Sequence, residues 1–393
     1  MRDVVIASIA RTPIGSFQGE LSTLPAVDLG ALAISSALER CGVAPEEVNE
    51  VLMGQVLSAG VGQAPARQAA LGAGLPNSVP CTTVNKVCGS GLKTVMLARQ
   101  AIVCGAADIV VAGGMESMSL APYLLPDARA GNRMGNKQVV DAMMHDGLWD
   151  PYGDSPMGNY GDVCAAEKGF SREAQDEYAI RSYERAIEAS NSGFFNEEIV
   201  EVSIPVRRGE AEVVYEDEEP GRFRPDKISK LRPAFGKEGT VTAANASKIS
   251  DGAAAVVLMS QEEAERRGKK GLARIVSDAS FAHQPEWFTT APSGAMKKAL
   301  SLAKLDAAAI DHYEINEAFA VVAMAAIAEL ELDDTKVNPL GGAVSLGHPI
   351  GCSGTRVLVT LLNAMEQESK KFGCASLCIG GGEAVAMVVE NTR

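Results

Sequence analysis

The stretch TTVNKVCGSGLKTVMLARQAIVCGAADIVVAGGMES, residues 82–117, decides the fold. Cys88 stands at a polar turn, a helical run follows over 92–105, and an apolar strand that ends in glycines follows over 107–114. Strands that are apolar throughout are typical of α/β proteins, in which helices cover both faces of the sheet. The stretch therefore predicts an α/β unit in which Cys88 lies at the N-terminus of a helix.

The residues before this stretch continue the alternation of strand and helix. DVVIASIA (3–10) is apolar throughout, as a strand buried on both faces would be, and EVLMGQV (50–56) is again strand-like. Between them, AVDLGALAISSALERCG (26–42) has helical spacing and ends at a glycine.

The C-terminal part of the chain repeats this order. Three pairs of segments match at a nearly constant offset: 37–54 with 301–318, 88–102 with 352–366, and 107–117 with 375–385. Because three matches in the same order carry more weight than any single match, we expect a duplicated α/β core. The two copies would form two similar layers, each a mainly parallel sheet flanked by helices.

The residues between the copies differ in composition, with a Pro- and Gly-rich segment at 143–162 and a charged helical run at 171–190. A long insertion between two core copies is commonly a ligand-binding element. The predicted organisation has three parts: an N-terminal core half of 1–120 plus 247–269, a loop domain of 121–246, and a C-terminal core half of 270–393.

Charge and composition argue against several classes of partner. The net charge of −14 disfavours nucleic acid, and no apolar run reaches the ~20 residues of a membrane span. The first residues, MRDVVIASIARTP, read directly as a strand without a signal-peptide pattern, so we expect a cytoplasmic protein. The eight cysteines are scattered without a CxxC pair, which predicts free thiols and no metal site.

One basic patch, GRFRPDKISKLR (221–232), holds five basic residues and one acid. On charge alone, a solvated surface loop is the favoured interpretation of this patch. A site for an anionic ligand is the alternative, because such a ligand needs local positive charge in an acidic chain.

Cys88 is the first candidate for a reactive residue. The free N–H groups and the dipole at a helix N-terminus lower the pKa of a thiol. The small residues that follow Cys88 leave room for a substrate carbonyl near the backbone. The local sequence supports equally well the alternative that Cys88 is a small buried residue of the core.

The C-terminal copy supplies further candidates. His348 lies in a glycine-dense loop (338–356), Cys378 lies at the end of a strand before three glycines, and Asn316 follows another strand. In open α/β sheets, ligands collect at the carboxyl ends of the strands. We therefore expect the quasi-twofold repeat to bring these residues and Cys88 to one crevice.

Five motifs occur in order over essentially the whole chain: NKVCGSG, VTAANAS…DGAAA, NEAFA, GGAVSLGHPIGCSG and CIGGGEA. With them the sequence resembles the thiolase family, and NKVCGSGLK and LRPAFGKEGTVTAANAS resemble its biosynthetic type. The resemblance implies a duplicated α/β core, layered αβαβα, with an inserted loop domain. It also implies acetyl-CoA acetyltransferase activity: Claisen condensation of two acetyl-CoA molecules to acetoacetyl-CoA and coenzyme A, and the reverse thiolysis, through an acetyl-cysteine intermediate.

The resemblance also implies the catalytic roles. Cys88 attacks the thioester after His348 takes its proton, and Cys378 removes the C2 proton of the second acetyl-CoA. One oxyanion is held by His348 and a water bound to Asn316, and the other by the backbone N–H groups of Cys88 and Gly380. A thiol suits proton abstraction from carbon, because its pKa of about 8.5 lies closer to that of a weak carbon acid than a carboxylate's does.

A groove for coenzyme A is implied as well, with no tightly bound cofactor. Ser247 and Ala243 would contact the pantetheine arm, and the basic patch would meet the phosphates and adenine. The patch residues are Arg222, Arg224, Lys227 and Lys230, and the tunnel residues are Leu148, Met157, Phe235, Ala318 and Phe319. Pro156 departs from the family pattern, and we expect it and Phe288 to alter the pantetheine and acyl contacts. The resemblance further implies a homotetramer, assembled through 124–144.

Three rival functions remain. A degradative 3-ketoacyl-CoA thiolase of broader chain length would use the same catalytic residues and differ in pocket volume. A ketoacyl synthase uses a single cysteine, so Cys378 argues against it. A non-catalytic acyl-CoA-binding protein on the same fold would keep the groove without needing Cys88, His348 and Cys378 together.

Overall fold

The computed structural model describes residues 2–206, 209 and 211–393. Its strands are β1 (Val4–Arg11), β2 (Gly15–Ser16), β3 (Glu50–Gly54), β4 (Cys81–Val84), β5 (Ile109–Ser117), β6 (Tyr123–Leu124), β7 (Val140–Asp141), β8 (Trp149–Asp150), β9 (Ser155–Pro156), β10 (Val202–Ile204), β11 (Glu212–Val214), β12 (Ser250–Ser260), β13 (Ala273–Ala282), β14 (His312–Ile315), β15 (Phe372–Ile379) and β16 (Glu383–Asn391). Its α-helices are α1 (Ala26–Cys41), α2 (Pro65–Gly72), α3 (Ser90–Val103), α4 (Met157–Lys168), α5 (Arg172–Asn191), α6 (Pro225–Ile228), α7 (Gln261–Arg266), α8 (Ala291–Ala303), α9 (Ala320–Leu330), α10 (Ala343–Leu346) and α11 (Ser353–Gln367).

The predicted duplication is confirmed by the strand order. The first half of the main sheet runs β3-β5-β12-β1, and the second runs β14-β15-β16-β13. The halves join edge to edge, where β1 pairs with β13 through Val5–Arg274 and Ile6–Ala273. Each of these four strands therefore has a counterpart at the same place in the other half, and β4 extends the first half beyond β3.

The prediction of mainly parallel sheets is wrong. Parallel pairing in the described sheet is confined to β3–β4, β3–β5 and β14–β15. β12 runs antiparallel to β1 and β5, and β16 runs antiparallel to β13 and β15. A strand buried on both faces is an apolar run whichever way its neighbours point, so the sequence pattern carried no information about direction.

Five layers result, in the predicted order αβαβα. The helices α1 and α2 cover the outer face of the first half, α8 and α9 cover that of the second, and α3 and α11 pack between the halves. Strand β12 belongs to both cores, because Val256 and Leu258 face the middle layer while Val257 and Met259 face the outer one.

Local signals set the ends of the predicted helices. α1 ends before Gly42, whose φ of +60° is left-handed and suits glycine. α5 begins after Ser171, whose Oγ accepts the N–H of Ala174 at 3.2 Å. The helix expected at 92–105 begins two residues earlier, at Ser90.

The two central helices meet where only glycine fits. A Cβ on Gly354 would lie 2.2 Å from the backbone N of Leu92, and a Cβ on Gly91 would lie 2.6 Å from that of Thr355. These glycines belong to the matching motifs CGSG and CSGT. The repeat thus brings the N-terminal ends of α3 and α11, and the loops that precede them, side by side.

The segment between the halves is fastened to the core by buried charges. The guanidinium of Arg11 in β1 contacts Glu198 at 2.5 Å and Asp217 at 2.7 Å, and all three side chains are buried. The predicted division of the chain into three parts, with boundaries at 120, 246 and 269, stays a prediction. Residues 1, 207, 208 and 210 of those parts lie outside the described residues. No helix of the described ranges is long and apolar enough to cross a membrane.

Candidate active site

Cys88 lies in a strained turn between β4 and α3. Val87 has a φ of +46°, a conformation that β-branched residues rarely adopt and that costs about 1–3 kcal/mol. Ser90 holds the turn, because its Oγ accepts the N–H of Lys86 at 2.8 Å and donates to the carbonyl of Val87 at 2.6 Å. The half-buried Cys88 thiol is therefore fixed immediately before α3.

Cys378 and Gly380 come from the other half of the core, in a segment that packs against the Cys88 turn: a Cβ on Gly89 would lie 2.4 Å from Cδ1 of Ile379. Burial raises the pKa of the Cys378 thiol well above its ordinary value, and a charge on the nearby Cys88 sulfur raises it further. The backbone N–H groups of Gly380 and of Cys88 itself act to lower the pKa of the Cys88 thiol. The turn from β15 to β16 has glycines with φ of +92° and +83° at Gly381 and Gly382, which lets it pass beside Cys88.

His348 is buried in the loop between α10 and α11 and is held as one tautomer. Its Nδ1 lies 2.5 Å from the Oγ of Ser353, and that hydroxyl donates its single proton to the carbonyl of Pro349 at 2.9 Å. The Oγ therefore accepts from Nδ1–H, and Nε2 carries a lone pair 3.5 Å from Nδ2 of Asn316. Burial lowers the pKa of His348 to about 3. The imidazole is neutral at pH 7 and can accept a proton.

Backbone N–H groups act to lower the pKa of Cys88, in the direction predicted for a helix N-terminus, but a second effect outweighs them. Burial raises the pKa of this thiol to about 11, and the two N–H donors offset only part of that effect. The buried carboxyl group of Glu116 acts in the same direction as burial. Cys88 is thus a neutral thiol at pH 7, and it needs a base to become a nucleophile.

Alkylation of Cys88 tests this protonation state. We expect its rate of reaction with iodoacetamide to rise about tenfold per pH unit from pH 7 to pH 9, because only the thiolate reacts. Mass spectrometry of the peptide that contains Cys88 separates this rate from those of the other thiols. An unstructured cysteine peptide is the control, since its rate levels off near pH ~8.5. A plateau at or below pH 8 in the folded protein would contradict the raised pKa.

A cavity of about 430 Å³ opens beside His348. Cys88 packs against the apolar cluster that contains Ile350, and Ile350 lines the cavity. Seven of the residues expected to contact coenzyme A line it: Leu148, Met157, Arg222, Phe235, Ala243, Ser247 and Phe319. The imidazole and most of the expected groove therefore share one cavity, and the first thiol packs behind its wall at Ile350.

The other residues expected in the groove lie outside this cavity. Ala318 is buried behind the wall, where its carbonyl accepts the N–H of Ser247 at 3.0 Å. Phe288 is also buried and packs edge-on against Phe319, with 6.4 Å between ring centroids, so it supports the wall from behind. Three residues of the basic patch are exposed on the surface: Arg224, Lys227 and Lys230.

Sequence reasoning missed Glu116, although a carboxyl group at the end of an apolar strand was an available signal. Its oxygens accept backbone N–H groups from Val56 at 3.0 Å, Leu57 at 3.2 Å and Gly351 at 2.9 Å. Burial raises its pKa to about 7, although the three N–H donors act to lower it. The carboxyl group ties the His348 loop to the segment that follows β3.

Other residues of the cavity gave no sequence signal. Met118, Met144 and Ile249 line it but have the pattern of core residues, and Lys248 follows a motif without belonging to it. In the part of the chain that the structure describes, no three His, Cys, Asp or Glu side chains are grouped to hold a metal ion.

In this duplicated α/β core a neutral imidazole lines an apolar cavity, and two thiols pack against residue clusters that contribute to its wall. This is the arrangement of a cysteine-dependent acyltransferase. The family models agree with this class. Residues 4–262 match the thiolase N-terminal domain, and residues 269–391 match the thiolase C-terminal domain. The chain therefore belongs to the thiolase family.

Relatives match over nearly the whole length. Acetyl-CoA acetyltransferase 1 of Arabidopsis thaliana is 56% identical over 391 residues, which cover 99% of this chain and 94% of the relative. A cytosolic acetyl-CoA acetyltransferase of Gibberella zeae is 50% identical over 391 residues, covering 99% and 98%. The crystal structure of the Acat5 thiolase from Ascaris suum in complex with coenzyme A has a TM-score of 0.95 and 45% identity, covering 99% of this chain and 100% of that one.

Proposed function

We propose that this chain condenses two acetyl-CoA molecules to acetoacetyl-CoA and coenzyme A, and catalyses the reverse thiolysis. The observation that carries the proposal is the pair of neighbouring thiols, Cys88 and Cys378, together with the N–H of Gly380, which acts to lower the pKa of the first. Acyl transfer alone needs one nucleophile, whereas condensation also needs a base that can remove a proton from carbon. Relatives named acetyl-CoA acetyltransferase and a neighbour with bound coenzyme A support this substrate class.

The first half-reaction acetylates Cys88. The lone pair on Nε2 of His348 accepts the thiol proton, and the sulfur attacks the thioester carbonyl of acetyl-CoA. The oxyanion lies against the N–H groups of Cys88 and Gly380, and one such donor is worth about 10²–10³ in rate. Coenzyme A leaves with the proton held by His348, and the acetyl group stays on Cys88.

The second half-reaction forms the carbon–carbon bond. An acetylated Cys88 cannot ionise, so it does not repel a negative charge that forms on the neighbouring Cys378. Cys378 passes its proton to Nε2 of His348, and the resulting thiolate takes the C2 proton of a second acetyl-CoA. The enolate oxygen of that acetyl-CoA is met by the protonated His348 and a water held by Asn316. The enolate attacks the acetyl group on Cys88, Cys88 leaves as a thiolate, and it takes back the proton held by His348, so both thiols are neutral again.

The basic patch is proposed to hold the phosphates of coenzyme A at the outer end of the groove. Arg222 lines the cavity but is partly neutralised by its ion pair with Glu218 and by Glu219 at 3.9 Å. Arg224, Lys227 and Lys230 are exposed beyond it, and their charges offset the repulsion between an anionic ligand and a chain of net charge −14. The substrate is bound only during turnover, and no tightly bound cofactor is proposed.

A cytoplasmic homotetramer is proposed as the working form. The segment 124–144 exposes large apolar side chains, with Met134 at 91%, Val139 at 61% and Leu125 at 42% exposure, and partner subunits would cover them. The cytosolic name of the Gibberella zeae relative supports the location.

Chain length separates this proposal from a degradative thiolase. Cys378 packs in one cluster with Phe288, Phe319, Tyr160 and Met157. Cε of Met157 lies 3.5 Å from where a Cβ on Gly380 would be, so little space is left beside this thiol. We expect kcat/KM for thiolysis of 3-ketohexanoyl-CoA to be about 100-fold below that for acetoacetyl-CoA, because extra methylenes overpack a filled pocket. Steady-state kinetics with both substrates measure this ratio, and equal values would favour the degradative alternative.

A further inference from the structure

Lys248 is a cationic side chain in the cavity wall that the proposed chemistry does not use. Its Nζ donates to the carbonyl of Ala246 at 2.7 Å and lies 3.5 Å from that of Ala244. It also lies 5.6 Å from the centre of the Tyr183 ring, within the range of a cation–π interaction. Burial lowers its pKa to about 8, which leaves the ammonium group protonated at pH 7.

The backbone of Lys248 joins the loops that form the active site. Its carbonyl accepts the N–H of His348 at 2.9 Å. The preceding residue, Ser247, donates its N–H to the carbonyl of Ala318, and Ala246 pairs with Phe319 as an isolated β-bridge. The segment 242–248 therefore lies between the His348 loop and the loop that carries Asn316.

The ammonium group of Lys248 contacts backbone carbonyls of its own segment, 242–248. Carbonyls of the segment point inward at one cation, so the cation compensates their mutual repulsion and fixes the path of the backbone between them. Ala243, Ala246 and Ser247, which the segment carries, all line the cavity. Without the cation, two partly buried carbonyls would turn toward water, and the wall would move with them.

We propose that Lys248 is a positioning residue, an internal cation that holds segment 242–248 in the shape that receives the pantetheine arm of a coenzyme A thioester. The proposal rests on the proposed function for the identity of the substrate. Lys248 forms no bond to the reacting groups. It affects the reaction only through the shape of the cavity wall. Its loss weakens substrate binding more than it slows chemistry.

The first test replaces the charge and keeps the length of the side chain. In K248M, we expect KM for acetoacetyl-CoA and Kd for coenzyme A to rise about tenfold, while kcat falls less than about threefold. Iodoacetamide alkylation of Cys88 should be unchanged, since the small reagent does not need the wall. K297M, which removes an exposed lysine of α8, is the matched control and should equal the wild type. The proposal would be overturned if the KM of K248M equalled that of the wild type. It would also be overturned if Cys88 alkylation fell by as large a factor as KM rose.

Chemical rescue separates the charge from the packing. In K248A, propylammonium should lower KM toward the wild-type value, whereas 1-propanol at the same concentration should not. Equal rescue by both compounds would assign the effect to space filling and overturn the proposal. K248R retains a cation and should keep KM within about threefold of the wild type, so the inference can be tested even if the apolar variants fail to fold.

Calorimetric titration with coenzyme A distinguishes failure of this inference from failure of the proposed function. Wild-type protein that binds coenzyme A but does not cleave acetoacetyl-CoA would refute the function, while the Kd comparison would still decide the role of Lys248. Wild-type protein that cleaves acetoacetyl-CoA, with an unchanged Kd in K248M, would refute the role of Lys248 alone.

Discussion

A Cys88→Ala variant is expected to form no acetyl-enzyme and to lose thiolysis activity by about 10⁴-fold or more, because the nucleophile that divides the reaction into two steps is gone. Incubation with acetyl-CoA followed by mass spectrometry should show one acetyl adduct on Cys88 of the wild type and none on the variant. Spectrophotometric thiolysis of acetoacetyl-CoA measures the loss in rate.

The chain contains a matched control for this substitution. Cys352 directly precedes α11, as Cys88 lies just before α3, but it is fully buried in the central core. Cys352→Ala removes an equivalent sulfur from the other copy and should retain the adduct and a rate within about threefold of the wild type, at a cost of about 1 kcal/mol in stability. An adduct that persists in Cys88→Ala would move the nucleophile to another residue. A wild type without any adduct would support the non-catalytic acyl-CoA-binding alternative.

A Cys378→Ala variant should separate the two half-reactions. We expect it to acetylate Cys88 to the same extent as the wild type, because the nucleophile, His348 and the N–H groups are intact. Condensation and thiolysis should both fall about 10²–10⁴-fold, the range for loss of a general base or acid. The rate at which labelled coenzyme A is exchanged into acetyl-CoA measures the first half-reaction alone. The rate of acetoacetyl-CoA cleavage measures the complete reaction.

Cys374 provides the comparison for this second prediction. It lies four residues earlier on β15, is fully buried and packs in the outer core of the second half. Cys374→Ala should therefore lower stability slightly and leave both half-reactions intact. If Cys378→Ala lost exchange and cleavage in equal measure, its role as the carbon base would be refuted.

Much of the fold was predictable because its signals are local. The glycine that ends α1 at Gly42 and the serine that begins α5 at Ser171 can be read in the sequence, and the matching segments around Cys88 and Cys352 indicated the duplication. Strand direction was not predictable in this way. The antiparallel course of β12 depends on where the chain returns after a long insertion, and no pattern within β12 records it.

The sequence by itself determined the family, the layered core and the identity of the candidate residues, because motifs and periodicity are properties of neighbouring positions. Only the tertiary structure decided how those residues behave. Burial raises the pKa of Cys88 where its helix alone would lower it, the hydroxyl of Ser353 selects the tautomer of His348, and two carbonyls hold the ammonium group of Lys248 in the cavity wall. Desolvation and contact between distant segments exist only after the chain has packed, so no local pattern could reveal them.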